Sequence, residues 1–314
     1  MNATQPIALT QHRARLDGDG APAAVRCGRT VITRPHLLDG ELTQLRVDGY
    51  AAAEIAVETL HCILGGRLNE RHVADVAETC ARHAGTLAYS VHSPAVLNLR
   101  DQRYPEVQRE ILLCSVRFAA AIGARVLVVH YEARSEDPAI EAQYRAAIAE
   151  AAELAGQHAL ILGIENIEVE RSERVLEFLE GLRHPWVRMT YDFGHDYLAG
   201  DLFGYDHLES ARACAPYAAH LHLTDNFGHF NQARLGDFNL YRAIPLSHVA
   251  VMGLGDVHMP LGWGTLPAEQ VYGHFASHGY AGLLISEHDP FAYPGNDEAV
   301  CAALQALTAT AGRA

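Results

Sequence analysis

The sequence predicts an α/β fold, a single (β/α)8 TIM barrel, on three observations. Short apolar runs alternate with helical segments along most of the chain. Those runs are mostly apolar rather than alternating, as strands buried on both faces of a parallel sheet are. No linker or shift in composition divides the 314 residues, and single α/β barrels span about 250 residues or more. Apolar residues make up 49% of the chain, enough for one large core.

The elements follow in order. Residues 1–25 are polar, and Asp17–Gly20 is glycine-rich. They read as an N-terminal extension, partly disordered or packed across the barrel floor, with the barrel itself over 26–314. Arg29–Thr33 is the expected first strand, and a short helix follows Gly40. Tyr50–Ala56 is the second strand. Asn69–His83 places Val73, Val76, Ala77 and Cys80 on one helical face. Leu87–Val91 is the third strand. Pro105–Ile122 repeats Val107, Ile111, Ser115, Phe118 and Ile122 at helical spacing. Arg125–His130 is the fourth strand. Asp137–Gln157 is a helix with Pro138 in its first turn and Gly156 near its end. Then come strand 160–165, helix 172–181, strand 186–192, helix 205–215 and strand 218–223. Helix 266–277, strand 281–287 and helix 297–311 close the chain. The segment 226–263, after strand seven, is too long for a plain connection and reads as a functional loop or lid.

Charge and cysteine usage narrow the function. The formal net charge is −14, from 24 basic and 38 acidic residues. That argues against holding duplex DNA, where a basic surface dominates affinity. Six cysteines form no CxxC pair, which suits a reducing, cytoplasmic setting. Met1–Leu16 has no apolar signal region, and no apolar run is long enough to cross a bilayer.

The chemistry lies where strands end. His92, His130, Glu165, Asp192 with His195, His222, Asp256 with His258, and Glu287 are metal-ligand residue types. Most of these stations follow or end an apolar run. A barrel of parallel strands gathers those ends on one face, and imidazoles with carboxylates are donors for zinc or manganese. Each also has a plain reading. Glu165 could cap a helix or pair with an arginine. Asp192 could be an N-cap, and Asp256 and His258 could be ordinary loop residues. A lone strand-end histidine is more often structural. In His220–Asn226, His222 is the better ligand and His220 a core histidine. Asp225 is a candidate to orient a ligand histidine. Asp192-Phe-Gly194 lacks the other elements of a kinase.

On these residues the chain resembles the xylose isomerase-like TIM-barrel superfamily, which holds sugar isomerases, sugar epimerases and endonuclease IV. The likeness covers roughly residues 40–310. Gly49–Ile55, Val91–Leu99 and Leu127–His130 resemble its second, third and fourth strands. The resemblance to its epimerases implies one divalent ion held by Glu165, Asp192, His222 and Glu287. The two glutamates then move a proton, and His195 binds a substrate hydroxyl. The resemblance to endonuclease IV implies up to three zinc ions, adding His92, His130, His195, Asp256 and His258; Asp256–Gly264 is its most specific part. The first expectation is a metal-dependent isomerase or epimerase of a small sugar or sugar phosphate, with one to three manganese or zinc ions. The alternative is a small-molecule phosphoester hydrolase. Cleavage of abasic DNA and a barrel that binds without chemistry rank lower. The charge and the long segment after strand seven favour a small molecule over nucleic acid, and no membrane partner is expected.

Overall fold

The computed structural model describes residues 24–310; the expectations for residues 1–23 lie outside the described residues. Eight strands form a closed, parallel barrel. They are β1 Arg26–Val31, β2 Ala52–Ala56, β3 Ala88–His92, β4 Val126–His130, β5 Ile161–Glu165, β6 Val187–Asp192, β7 Ala218–Leu223 and β8 Leu283–Ser286. Neighbours in sequence are neighbours in the barrel, and β1 pairs with both β2 and β8. The (β/α)8 expectation holds. Strands β2, β3, β5 and β8 are buried at every position, so their sequences carry no polar alternation.

The surrounding helices are α1 Leu38–Val47, α2 Glu70–His83, α3 Pro105–Ala121, α4 Pro138–Gly156, α5 Ser172–Leu182, α6 Phe193–Phe203, α7 His207–Cys214, α8 Ala233–Gly236, α9 Phe238–Ala243, α10 Leu246–Met252, α11 Ala268–Ser277 and α12 Asp297–Thr310. Their starts are chemically marked. Asp137 accepts a 2.8 Å bond from the Ala139 amide ahead of Pro138, and Asp206 accepts one of 2.8 Å from Leu208. Among the described residues no helix is long and apolar enough to cross a membrane. All six cysteines are free and buried.

Four elements differ from the sequence expectation. β1 begins three residues earlier, at Arg26, because its polar residues have partners. Arg29 is buried with Nε 2.6 Å from Asp297. Residues 193–203 form helix α6, whose buried face includes Phe193, His195, Asp196, Leu198 and Ala199. Such an all-round buried helix has no amphipathic stripe to announce it. The 226–263 segment contains three short helices, α8 to α10, rather than a plain loop. A small hairpin, Ile63–Leu64 with Arg67–Leu68, follows β2.

Gly28 sits where the barrel closes, paired with Ala52 on one side and Ile285 on the other. A Cβ there would meet the Ala52 carbonyl oxygen and Ile285 Cδ1, both at 2.6 Å. Gly28→Ala is expected to destabilise the fold by about 1–3 kcal/mol, measured by urea unfolding; no loss would mean that the closure is looser than its register implies.

Candidate metal centre

Side chains alternate along a strand, so the last inward position of each strand faces the barrel mouth. In six of eight strands that position carries a donor: His92, His130, Glu165, Asp192, His222 and Glu287, the last just beyond β8. In β1 and β2 the corresponding positions are Ile32, just beyond β1, and Ala56, which line one cavity. The cavity holds about 470 Å³ and is walled by α9 and α10 as well as by strand ends. This is the size of a small-molecule site.

Of the nine sequence-picked residues six line the cavity, and Glu165, Asp192 and His222 are fully buried against them. The nine fall into three sets, the first two sharing Glu165. Donor atoms of Glu165, Asp192, His222 and Glu287 lie within 4.8 Å of one another, as do those of His92, His130 and Glu165. His92 Nε2 and His130 Nε2 are each 3.4 Å from Glu165 Oε2. In the third set, His258 Nε2 lies 2.7 Å and His195 Nε2 3.4 Å from Asp256 Oδ2.

The histidine rings are held by their far nitrogens. Nδ1 of His92 meets the Ser93 carbonyl at 2.6 Å, that of His195 the Asn166 carbonyl at 3.0 Å, and that of His258 the Glu287 carbonyl at 2.8 Å. A carbonyl only accepts, so each Nδ1 carries the hydrogen and each Nε2 faces the carboxylates. His222 is reversed. Its Nε2 lies 3.1 Å from Glu54 Oε2, while Nδ1 is 2.8 Å from Glu165 Oε1 and 3.2 Å from Glu287 Oε2. His258 holds a left-handed backbone, φ +45°, a conformation that persists only where surrounding contacts impose it.

Asp192 combines its plain reading with the site. Oδ1 caps α6 by accepting from the His195 amide at 2.5 Å, while the buried Oδ2 has no hydrogen-bond partner. Asn166 braces this corner: its side chain accepts from the Asp192 amide and donates to the Asp192 carbonyl, both at 2.9 Å. Farther along α6, the buried Asp196 accepts hydroxyl bonds from Ser172, Tyr191, Tyr205 and Ser210. These tie the helix that carries His195 to its neighbours.

Charge compensation dominates the electrostatics. Burial raises the Glu165 carboxyl, but His222, His92 and His130 overcome it and hold it well below the usual range. Burial likewise raises Asp256, but His258 and His195 hold it well below the usual range. Asp192 is pushed up to about 6, by burial first, then against the pull of His195 by the charges of Glu165 and Glu287. Burial opposes charge on His92, but Glu165, Glu287 and Glu54 carry it up to about 10; Asp256 does the same for His258, also to about 10. Buried oxygens Glu165 Oε2, Asp192 Oδ2 and Asp256 Oδ1 have no hydrogen-bond partner among the described residues. Carboxylates short of donors beside aimed imidazoles fit divalent cations.

Glu54 escaped sequence reasoning. It lies mid-strand in β2, fully buried, bonded by His220 Nε2 and Ser90 Oγ, each at 2.9 Å, and by His222. Burial raises its carboxyl, yet His222 and His220 hold it well below the usual range. His220 is the core histidine expected, its pKa lowered by burial against the pull of Glu54. The expected role of Asp225 is corrected. It orients no histidine; it accepts amide bonds from Asn226 at 2.9 Å, Gly262 at 2.8 Å and Leu266 at 3.1 Å. It thereby pins the loop that presents Asp256 and His258. Gly264 belongs to that fit, since a Cβ there would run into Asn226 O and Asp225 Oδ1.

A family model described as "Xylose isomerase-like TIM barrel" matches residues 42–308. No curated protein matches the chain significantly. Among solved structures, an L-ribulose 3-epimerase is similar at TM-score 0.66 and 16% identity, covering 92% of this chain and 96% of its own. A D-tagatose 3-epimerase-like protein aligns at 0.64 and 17%, covering 91% and 97%. A xylose isomerase-like TIM barrel protein from Mycobacterium smegmatis in complex with magnesium aligns at 0.61 and 15%, covering 92% and 98%. At these identities the likeness is one of fold.

Two outcomes test the centre. Glu54→Gln is expected to weaken divalent-metal binding by about 10–100-fold, because it loosens the ring of His222. Calorimetric titration of the folded variant measures this, and unchanged affinity would remove Glu54 from the design. The second outcome concerns pH. In the metal-free fold His92 and His258, at about 10, keep protons that an unfolded chain releases near about 6.5. Their raised values add stability that is complete below about pH 6.5 and lost as pH rises towards about 10. A cation replaces those protons. The Tm gap between metal-loaded and chelator-treated protein should therefore widen from about pH 6.5 to about pH 9.5; a constant gap would contradict this.

Proposed function

The chain belongs to the xylose isomerase-like TIM-barrel family, and on that premise we propose that it is a metal-dependent isomerase or epimerase of a small sugar or sugar phosphate. The observation that carries the reading is the convergence of donor atoms of Glu165, Asp192, His222 and Glu287 within 4.8 Å of one another, with Glu287 lining a small-molecule cavity. Relatives in fold include proteins described as L-ribulose 3-epimerase and D-psicose 3-epimerase.

These four residues would hold the principal ion. When bound, a divalent cation polarises a substrate carbonyl and stabilises the negative charge that develops beside it. Glu165 and Glu287 supply the proton chemistry. One carboxylate takes the proton from the carbon next to the carbonyl, and the other, carrying a proton, returns one from its own side. His195, fixed by the Asn166 carbonyl, presents Nε2 to a substrate hydroxyl. The helices after β7 wall the cavity and limit water around the exchanging proton.

A second reading has its own observation. His92 and His130 meet Glu165, and His195 and His258 meet Asp256, so all nine residues could serve two or three zinc ions in cleaving a small phosphoester. The net charge of −14 weighs against duplex DNA as that substrate.

Asp256→Ala separates the two readings. Under the isomerase reading the variant keeps the principal ion and much of the activity. Under the hydrolase reading it loses a metal and most of the rate. The direct assay is incorporation of solvent deuterium into ketoses and their phosphates by metal-loaded protein, read by NMR. Exchange next to the carbonyl, abolished in Glu287→Gln, is the expected result. Absent exchange together with release of inorganic phosphate would transfer the assignment to hydrolysis.

A further inference from the structure

The metal-centre end of the cavity is polar, and its lining also carries exposed apolar side chains. β1 and β2, the two strands without a donor at their ends, contribute Ile32 and Ala56. Val96, in the loop after β3, continues this sector and is 67% exposed. β7 stands across the closed barrel from β3, four strands away in either direction. The segment after β7 brings Phe238 and Tyr241 into the lining of the same cavity. Their rings stack with centroids 6.2 Å apart and planes at 17°.

The aromatic wall is braced. Arg234 lies 4.8 Å over the Phe238 ring and 5.7 Å over that of Tyr241, and its Nε is 2.6 Å from Glu168 beyond β5. Asp237 caps α9 by accepting from the Leu240 amide at 2.9 Å. Phe238 is still 46% exposed. An exposed aromatic side chain that lines the same cavity as exposed aliphatic ones is a surface that a ligand covers. Polar groups line this region too: Glu58, Thr59, Arg234 and the exposed Arg242, whose guanidinium lies 5.8 Å over the Phe238 ring. Arg242 makes an anionic substituent the rival.

We propose that the substrate is a saccharide bearing an apolar, planar substituent, which lies between Phe238 with Tyr241 and Ile32 with Val96 while the sugar reaches the metal centre. This deepens the isomerase or epimerase reading and rests on it for the sugar end. It differs from a free sugar or a sugar phosphate in what occupies the mouth.

The test is equilibrium binding to the zinc- or manganese-loaded full chain. The probes are phenyl and methyl glycosides of a set of hexoses, with the matching hexose phosphates. For at least one hexose, the phenyl glycoside is expected to bind about tenfold more tightly than the methyl glycoside. Phe238→Ala should erase that preference and Phe238→Tyr retain it. Val96→Asp, in the same lining and tolerated by its exposure, should reduce it independently. Equal binding of phenyl and methyl glycosides, no glycoside binding at all, or tightest binding of a hexose phosphate that Arg242→Ala removes would each overturn the proposal. Deuterium exchange on free ketoses keeps the two claims apart. Exchange without a phenyl preference sinks this proposal alone, and a phenyl preference without exchange sinks the isomerase reading alone.

Discussion

Everything at the mouth of this barrel depends on mutual compensation between buried carboxylates and buried imidazoles. Glu54, Glu165, Asp192 and Asp256 are withdrawn from water, as are His92, His195, His220 and His222. An ionised carboxylate in such a place is tolerated only with opposite charge or a donor close by. The imidazoles supply part of that requirement. They do not supply all of it, since oxygens of Glu165, Asp192 and Asp256 remain without donors. Buried acidity with unsatisfied oxygens is consistent with a site for cations.

The fold sets this up in tiers. Inward positions one step below the strand ends carry Thr30, Glu54, Ser90 and His220, linked through the Glu54 carboxylate. The tier above carries the donors, and His222 joins the two. Three other rings take their orientation from backbone carbonyls, which cannot rotate away as side chains can. The remaining precision comes from Asp225, which ties the Asp256–His258 loop to the end of β7 through main-chain amides. A metal held by these residues would couple its affinity to barrel stability at the same atoms.

Much of this was legible in the sequence because strand ends are legible. A histidine or carboxylate closing an apolar run stands out, and the six residues chosen on that signal converge in space with His195 and the Asp256-x-His258 pair, chosen from the loops. Glu54 was illegible for the same reason. It sits inside Ala52–Ala56, where a single acid within a short apolar run gives no sign that two histidines from a strand distant in sequence will meet it. Helix α6 was missed because burial on most sides removes the helical stripe. β1 was misplaced because its arginine is neutralised by Asp297, from a helix more than two hundred and fifty residues away. Asp225 was misread because its partners are main-chain amides across a long loop, which no residue pattern records.

The most direct measurement is the metal content of the protein purified without chelator, by elemental analysis. Between one and three tightly held divalent ions per chain, zinc or manganese, is the expected result. One ion, especially manganese, favours proton transfer by the glutamate pair; two or three, especially zinc, favour phosphoester hydrolysis. Protein that carries no divalent metal, and takes up none when zinc or manganese is supplied, would contradict the assignment of this cluster as a metal centre.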